Sequence, residues 1–131
     1  MVIDTSALMA ILLDEPERRS FQNAIDGDAV RLVSALGKLE AAMIMISRYN
    51  LEGADRVDWL LRELTARIVP FDEHQADIAR EAFARFGKGR GRARLNFGDC
   101  ASYALAISEA EPLLFKGTDF GATDVRVVPL A

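Results

Sequence analysis

The chain has one cysteine and one histidine in 131 residues. A lone thiol, Cys100, forms no internal disulfide, and so few sulfur and imidazole ligands build no zinc or iron–sulfur centre, which excludes a thiolate-bound metal. The scarcity also agrees with a reducing compartment. No apolar run approaches the about 18 residues of a membrane span, and the start Met1-Val2-Ile3-Asp4 shows neither a basic leader nor a long apolar stretch. The expectation is a cytoplasmic protein that makes no membrane contact. No Gly-rich loop ends in Lys-Ser or Lys-Thr, so P-loop nucleotide hydrolysis has no support. Internal repeats and low-complexity tracts are missing too. Positive charge is not in excess: 16 Lys and Arg face 20 Asp and Glu, a formal net charge of −4. Nucleic acid would therefore be met by a local basic patch and not by the global field.

What is present suits one globular domain over residues 1–131, since 50% apolar content supplies a core and 27% charge argues against disorder. Short apolar runs alternate with helical periods. Val2-Ile3, Val30 to Ser34, Ile68-Val69, Leu113 to Phe115 and Val125 to Val128 read as strands. Helices are expected over Ser6 to Leu13, from Pro16 to about Asp26, over Ala54 to Ala66, and from an Asp72 cap through Phe86. Ser34 caps a further helix in which Leu36, Leu39, Met43 and Ile46 recur at three- and four-residue steps, which predicts that they form its buried face. Short strands separated by helices define an α/β fold, a parallel sheet covered by helices on both faces.

Four acids stand out by position. Asp4 ends the first strand, Glu40 lies in the second turn of the helix after strand two, Asp99 is the third helical residue after an Asn96 cap, and Asp119 comes a short turn after the Leu113 strand. The carboxyl ends of parallel strands form one rim where ligands bind, so the four can converge there. Clustered carboxylates repel one another, and a divalent cation removes that penalty. Oxygen ligands without His or Cys favour a hard ion, Mg2+ or Mn2+. Such an ion activates water, orients a phosphate oxygen and stabilises a leaving alkoxide, as phosphodiester hydrolysis requires.

The runs Val2-Ile3-Asp4-Thr5-Ser6-Ala7, Leu39-Glu40-Ala41, Leu95-Asn96-Phe97-Gly98-Asp99-Cys100 and Leu113-Leu114-Phe115-Lys116-Gly117-Thr118-Asp119-Phe120, in that order, resemble the successive motifs of PIN-domain ribonucleases. More narrowly, the whole chain is similar to the VapC toxins of bacterial type II toxin–antitoxin systems. The resemblance implies a PIN-like three-layer α/β/α sandwich with a central, mostly parallel sheet. It also implies metal-dependent endoribonuclease activity on structured RNA such as tRNA or rRNA, inhibition by a small cognate VapB-like antitoxin, and self-association as a homodimer or larger toxin–antitoxin assembly. Asp4, Glu40 and Asp99 match the family's acids, with Asp4 and Asp99 as metal ligands, and Thr5 or Ser6 matches the hydroxyl beside the first acid. Where many relatives carry Asn or Asp shortly after the last motif's strand, this chain has Gly117. Asp119 is the next acid, with a cap or turn role as the alternative.

The segment from Arg85 to Arg94 interleaves Lys88, Arg90, Arg92 and Arg94 with Gly87, Gly89 and Gly91 and runs directly into Asn96. Mobile glycines and arginines suit an RNA phosphate backbone, against the alternative of a solvated loop. His74, Cys100, Tyr103 and Trp59 read as structural, with Trp59 open to an interface role. The helix Ala7 to Leu13 is apolar nearly all round, hence deeply buried or covered by another chain. The family reading places an antitoxin helix nearby.

Three rival functions remain. A haloacid-dehalogenase-type phosphoryl transferase expects a second Asp where this chain has Ser6. A DNA-directed nuclease would share the metal chemistry. A catalytically silent PIN-like module that only binds nucleic acid or antitoxin has no need for three acids in motif order.

Overall fold

Alternation along very short strands builds both faces of the sheet. The computed structural model describes residues 1–130. Strands β1 (Val2–Ile3), β2 (Leu32–Ser34), β3 (Arg67–Val69) and β4 (Leu113–Leu114) form one sheet in the order β3-β2-β1-β4, every pairing parallel. Val2 pairs with Leu32 and Leu113, and all three point into one core with Leu95, Tyr103 and Leu105. Ile3, Val33 and Leu114 point the other way, into a core shared with Leu8, Phe21, Met45 and Leu60. A period of two thus gives a two-residue strand one side chain for each face.

The helices divide accordingly. Helices α1 (Thr5–Leu12), α2 (Arg18–Asp26), α3 (Ala35–Tyr49) and α4 (Leu51–Glu63) supply the second core, while α5 (Glu73–Phe86) and α6 (Phe97–Ser108) supply the first. The result is the expected α/β/α sandwich. Strands β1 and β2 each lead straight into a cap of the next helix: Asp4 accepts from the Ser6 amide and Ser34 from the Leu36 amide, each cap worth about 1 kcal/mol. Asp72 caps α5 as expected, accepting from the Gln75 amide. Among the described residues, no helix is long and apolar enough to cross a membrane.

The structure departs from the sequence expectations in three places. Helix α4 starts at Leu51 and ends at Glu63 instead of spanning Ala54 to Ala66, because Asn50, at φ 56°, ends α3 and turns directly into it. The expected last strand, Val125 to Val128, is reduced to one parallel bridge between Leu113 and Val127. β4 offers it only two residues, and Pro129 has no N–H to extend a ladder.

The third departure is the face of α3. Leu39 and Met43 are 55% and 59% exposed and Ile46 is exposed, whereas Gly37, Ala41 and Met45 are buried. Small residues let the helix approach its neighbours closely: a Cβ on Gly53 of α4 would collide with the carbonyl of Met45. Met45 fills the core on the inward side, and Leu39, Met43 and Ile46 are left facing out.

Candidate active site

Asp4 lies at the carboxyl end of β1, 3% exposed, and is held by three donors. Its Oδ2 accepts the Ser6 amide at 3.0 Å and the Ser6 hydroxyl at 2.6 Å, and its Oδ1 accepts the Ser102 hydroxyl at 2.6 Å. The Lys116 amide donates to Ser6 Oγ at 2.9 Å, which commits the Ser6 proton to Asp4. A carboxylate clasped from α1 and α6 has one orientation. Thr5, by contrast, donates to the Gly37 carbonyl at 3.3 Å and ties α1 to α3. Ser6 is therefore the hydroxyl that reaches the acid.

Sequence reasoning misses Ser102. Its signal is a lone hydroxyl three residues after Asp99, on the same helix face, in the apolar run Cys100-Ala101-Ser102-Tyr103-Ala104. Were a divalent cation held at Asp4, Ser102→Ala would leave the fold intact and weaken Mn2+ binding about tenfold, as removal of a ligand's supporting hydrogen bond does, with Ser102→Thr restoring it. Isothermal titration with Mn2+ reads this directly, and unchanged affinity would remove Ser102 from the site.

Asp99 opens α6 in a reciprocal capping box, its amide donating to Asn96 Oδ1 at 2.9 Å and its Oδ2 accepting the Asn96 amide at 3.0 Å. Burial pushes its carboxyl up to about 6, the Asn96 amide opposes the rise, and the charges of Asp4, Asp119 and Glu40 add to it. Four acids from four segments thus share one field at the strand rim. Glu40 is half-buried, and its carboxylate rests against Gly98. Asp119 is exposed, delivered to the rim by Gly117, whose φ of 101° suits glycine.

Among the described residues, no three carboxylate, imidazole or thiol groups stand at metal-ligand spacing. The acids share a field without converging, because Asp99 turns back to its own cap and Asp4 to its two serines. Each carboxylate keeps lone pairs beyond these bonds. An all-oxygen donor set on one rim, with the Asp99 carboxyl raised by burial first and by the three neighbouring acids after it, fits a hard divalent cation.

The loop from Gly87 to Arg94 closes on itself at its base. Gly87 bridges Leu95, the Lys88 amide donates to the Leu95 carbonyl at 3.0 Å, and Ala93 is buried in the core. Lys88, Arg90, Arg92 and Arg94 are exposed, and among the described residues none forms a salt bridge. Arg85 differs from them: it lies 3.5 Å from Asp124 and over the Phe86 ring. The same Asp124 accepts the buried Tyr103 hydroxyl at 2.5 Å, so Arg85 and Tyr103 anchor the loop's root and Tyr103 is structural as expected. Cys100 is buried in the core beside Asp99, and its thiol is pushed up to about 11 by burial first and the Asp99 charge second, which suits packing and not nucleophilic attack.

Two apolar surfaces remain. Leu36, Leu39, Met43, Phe83 and Phe97 crown α3, α5 and α6 next to Glu40 and Gly98. On the other side, Ile11, Leu12, Leu60 and Leu64 floor a groove between α1, α2 and α4, rimmed by Arg18, Arg19, Arg56, Trp59 and Glu63. Trp59 is 55% exposed, so it is open to an interface and does not pack in the core. Helix α1 is buried within its own chain, except that Ser6 is partly exposed and Leu12 remains partly open to this groove.

A parallel sheet between helical layers with an acidic rim is the architecture of a phosphodiester-cleaving PIN domain, and the PIN domain family model matches residues 1–126. The chain is 49% identical over 128 residues to a ribonuclease VapC of Mycolicibacterium smegmatis, covering 98% of this chain and 99% of that protein. It is 46% identical over 130 residues to ribonuclease VapC30 of Mycobacterium tuberculosis, covering 99% of each. Among solved structures, Mycobacterium tuberculosis VapC20, described as a sarcin–ricin loop cleaving toxin, superposes with a TM-score of 0.79 at 16% identity, covering 99% of this chain and 98% of that one. VapBC2 of Rickettsia felis, bound to a promoter DNA fragment, superposes with a TM-score of 0.78 at 12% identity, covering 99% and 98%. The chain therefore belongs to the PIN-domain family and, within it, to the VapC ribonucleases.

Proposed function

We propose that this ribonuclease is the toxin of a type II toxin–antitoxin system, acting in the cytoplasm as an endonuclease on structured RNA such as tRNA or rRNA, with Mg2+ or Mn2+ at its acidic rim. The observation that carries the reading is the shared field of Asp4, Glu40, Asp99 and Asp119 at one rim, with a loop of four exposed cations running directly into the Asn96 cap of Asp99. Asp4 and Asp99 would hold the cation. When bound, it supplies a lowered pKa for the attacking water and positive charge opposite the scissile phosphate. Ser6 and Ser102 keep Asp4 oriented, Glu40 would help hold the cation and its water, Asp119 would assist, and the arginine loop would hold the RNA backbone. Sequence-independent phosphate contacts leave RNA shape and the 2′-hydroxyl as the means of selection.

Labelled tRNA, an rRNA stem-loop and a DNA of matching sequence, each incubated with Mg2+ or Mn2+ and again with chelator, test the proposal. Metal-dependent RNA cleavage with intact DNA supports it. No cleavage of any RNA would leave a silent binding module, and cleavage of DNA alone a DNA-directed nuclease. Replacing Arg90, Arg92 and Arg94 with Ala is expected to weaken RNA binding and flatten the plot of log K against log salt by about 2, at roughly 0.7 per single-strand phosphate contact. An unchanged slope would return the segment to a solvated loop.

The two apolar surfaces support two partners. A twofold contact sets each residue of a patch against its own copy's surface, so like charges at its centre would meet. The α3/α5/α6 face, apolar in Leu36, Leu39, Met43 and Phe97 with Arg80 and Glu40 among its lining residues, suits such a homodimer. The charged rim of the α1/α2/α4 groove suits a different chain with complementary charges, an antitoxin helix that inserts an apolar stripe.

A further inference from the structure

We propose that Gly98 is a positioning residue for Glu40: the side chain it lacks is the space in which the Glu40 carboxylate sits. A methyl group at residue 98 would lie 2.6 Å from Glu40 Oε1 and 2.7 Å from Cδ, and closer still to Oε2. The glycine is buried in the first turn of α6, and its φ is not positive, so backbone freedom does not demand glycine there. Alanine is the better helix former at that place. The three atoms nearest an added methyl are the carboxylate oxygens and Cδ, the far end of a flexible side chain, so the chain can accept alanine by moving the acid alone. Gly98 also stands between the Asn96 cap and Asp99, so the gap it leaves brings the acid of α3 against the turn that carries the acid of α6.

The inference rests on the metal-dependent ribonuclease reading and adds the residue that sets where one acid stands. Gly98→Ala is expected to keep its circular dichroism spectrum with an unchanged or higher melting temperature, while kcat for RNA falls about 100-fold with little change in KM, the scale of a misplaced catalytic group. Mn2+ affinity, read by calorimetry without substrate, should fall in parallel. The decisive comparison is a cycle with Glu40→Asp, which withdraws the carboxylate by one methylene. On the wild-type background the shorter acid should lower activity; combined with Gly98→Ala it should relieve the clash and raise activity above that of Gly98→Ala alone. A crystal structure of Gly98→Ala should show the Glu40 carboxylate displaced from residue 98.

Wild-type kcat and Mn2+ affinity in Gly98→Ala would overturn the inference while leaving the nuclease reading standing. So would an equal Glu40→Asp penalty in both backgrounds. Unfolding of Gly98→Ala would overturn it as well, because the carboxylate and not the backbone is to give way. A wild-type protein that neither cleaves RNA nor binds Mn2+ would remove the nuclease reading and the inference together.

Discussion

Asp99→Asn is expected to lower RNA turnover on the order of 1,000-fold and, in the same molecule, to stabilise the metal-free fold at neutral pH. On the metal-dependent reading proposed above, the first effect would come from losing one anionic ligand of a cation held against phosphate, since charge stabilisation by such an ion is worth several kcal/mol. The second comes from the raised carboxyl of Asp99. In the folded chain it keeps its proton to about 6, against 3.8 ordinarily, because burial disfavours its charge and Asp4, Asp119 and Glu40 repel it. Between those values the folded chain binds more protons than the unfolded one, so stability falls as pH rises through that window, and the deficit is complete above it. After allowance for partial solvent screening, about 2 kcal/mol is stored there at neutral pH. Asparagine removes the charge and retains an oxygen for the Asn96 amide. Thermal unfolding without metal should therefore show the variant melting about 7 °C above wild type at about pH 7.5, and the two coinciding below about pH 3. Added Mn2+ should raise the wild type and leave the variant unmoved. A variant that melts lower than wild type at neutral pH would contradict the shared field, and a fully active one would remove Asp99 from the chemistry.

The places of Asp4 and Asp99 were legible in the sequence because each obeys a local rule. A carboxylate ending an apolar strand or closing an asparagine cap is placed by chain direction and helix geometry, and in a parallel sheet those places share one rim. Their surroundings were less legible. Ser102 is 98 residues from the acid it holds, and Glu40 meets Gly98 across two helices; neither contact has a spacing to read. The strands were found to within a residue or two, yet the last one failed because ladder formation depends on its neighbour's length as well as its own composition. The face of α3 was misread for a different reason. Periodicity reports that one side of a helix is apolar but not what covers it. In α3 the inward side is Gly37, Ala41 and Met45, with Gly53 of α4 admitted closely against the Met45 carbonyl, and the stripe Leu39, Met43 and Ile46 is the one left over.

That leftover stripe yields the second large effect, because a face apolar enough to mimic a core is unfavourable in water unless another surface covers it. Met43 is 59% exposed and lines the same apolar surface as Leu36, Leu39, Ile44 and Phe97. Met43→Glu would bury two like charges near the centre of a twofold contact, each without a partner, and is expected to weaken self-association on the order of 1,000-fold. Sedimentation velocity should show a dimer for the wild type and a monomer for the variant, with circular dichroism unchanged because residue 43 touches little of its own core. The groove on the other side supplies the control. Trp59→Ala should leave the dimer intact and weaken capture of the antitoxin, since Trp59 stands on the rim between Arg56 and Glu63, on the opposite helical pair. The reverse pattern would exchange the two partners between the two surfaces, and a wild type that is monomeric at all accessible concentrations would leave the α3 face to the antitoxin, whose helix would then lie against Glu40 and Gly98 and block the acids directly.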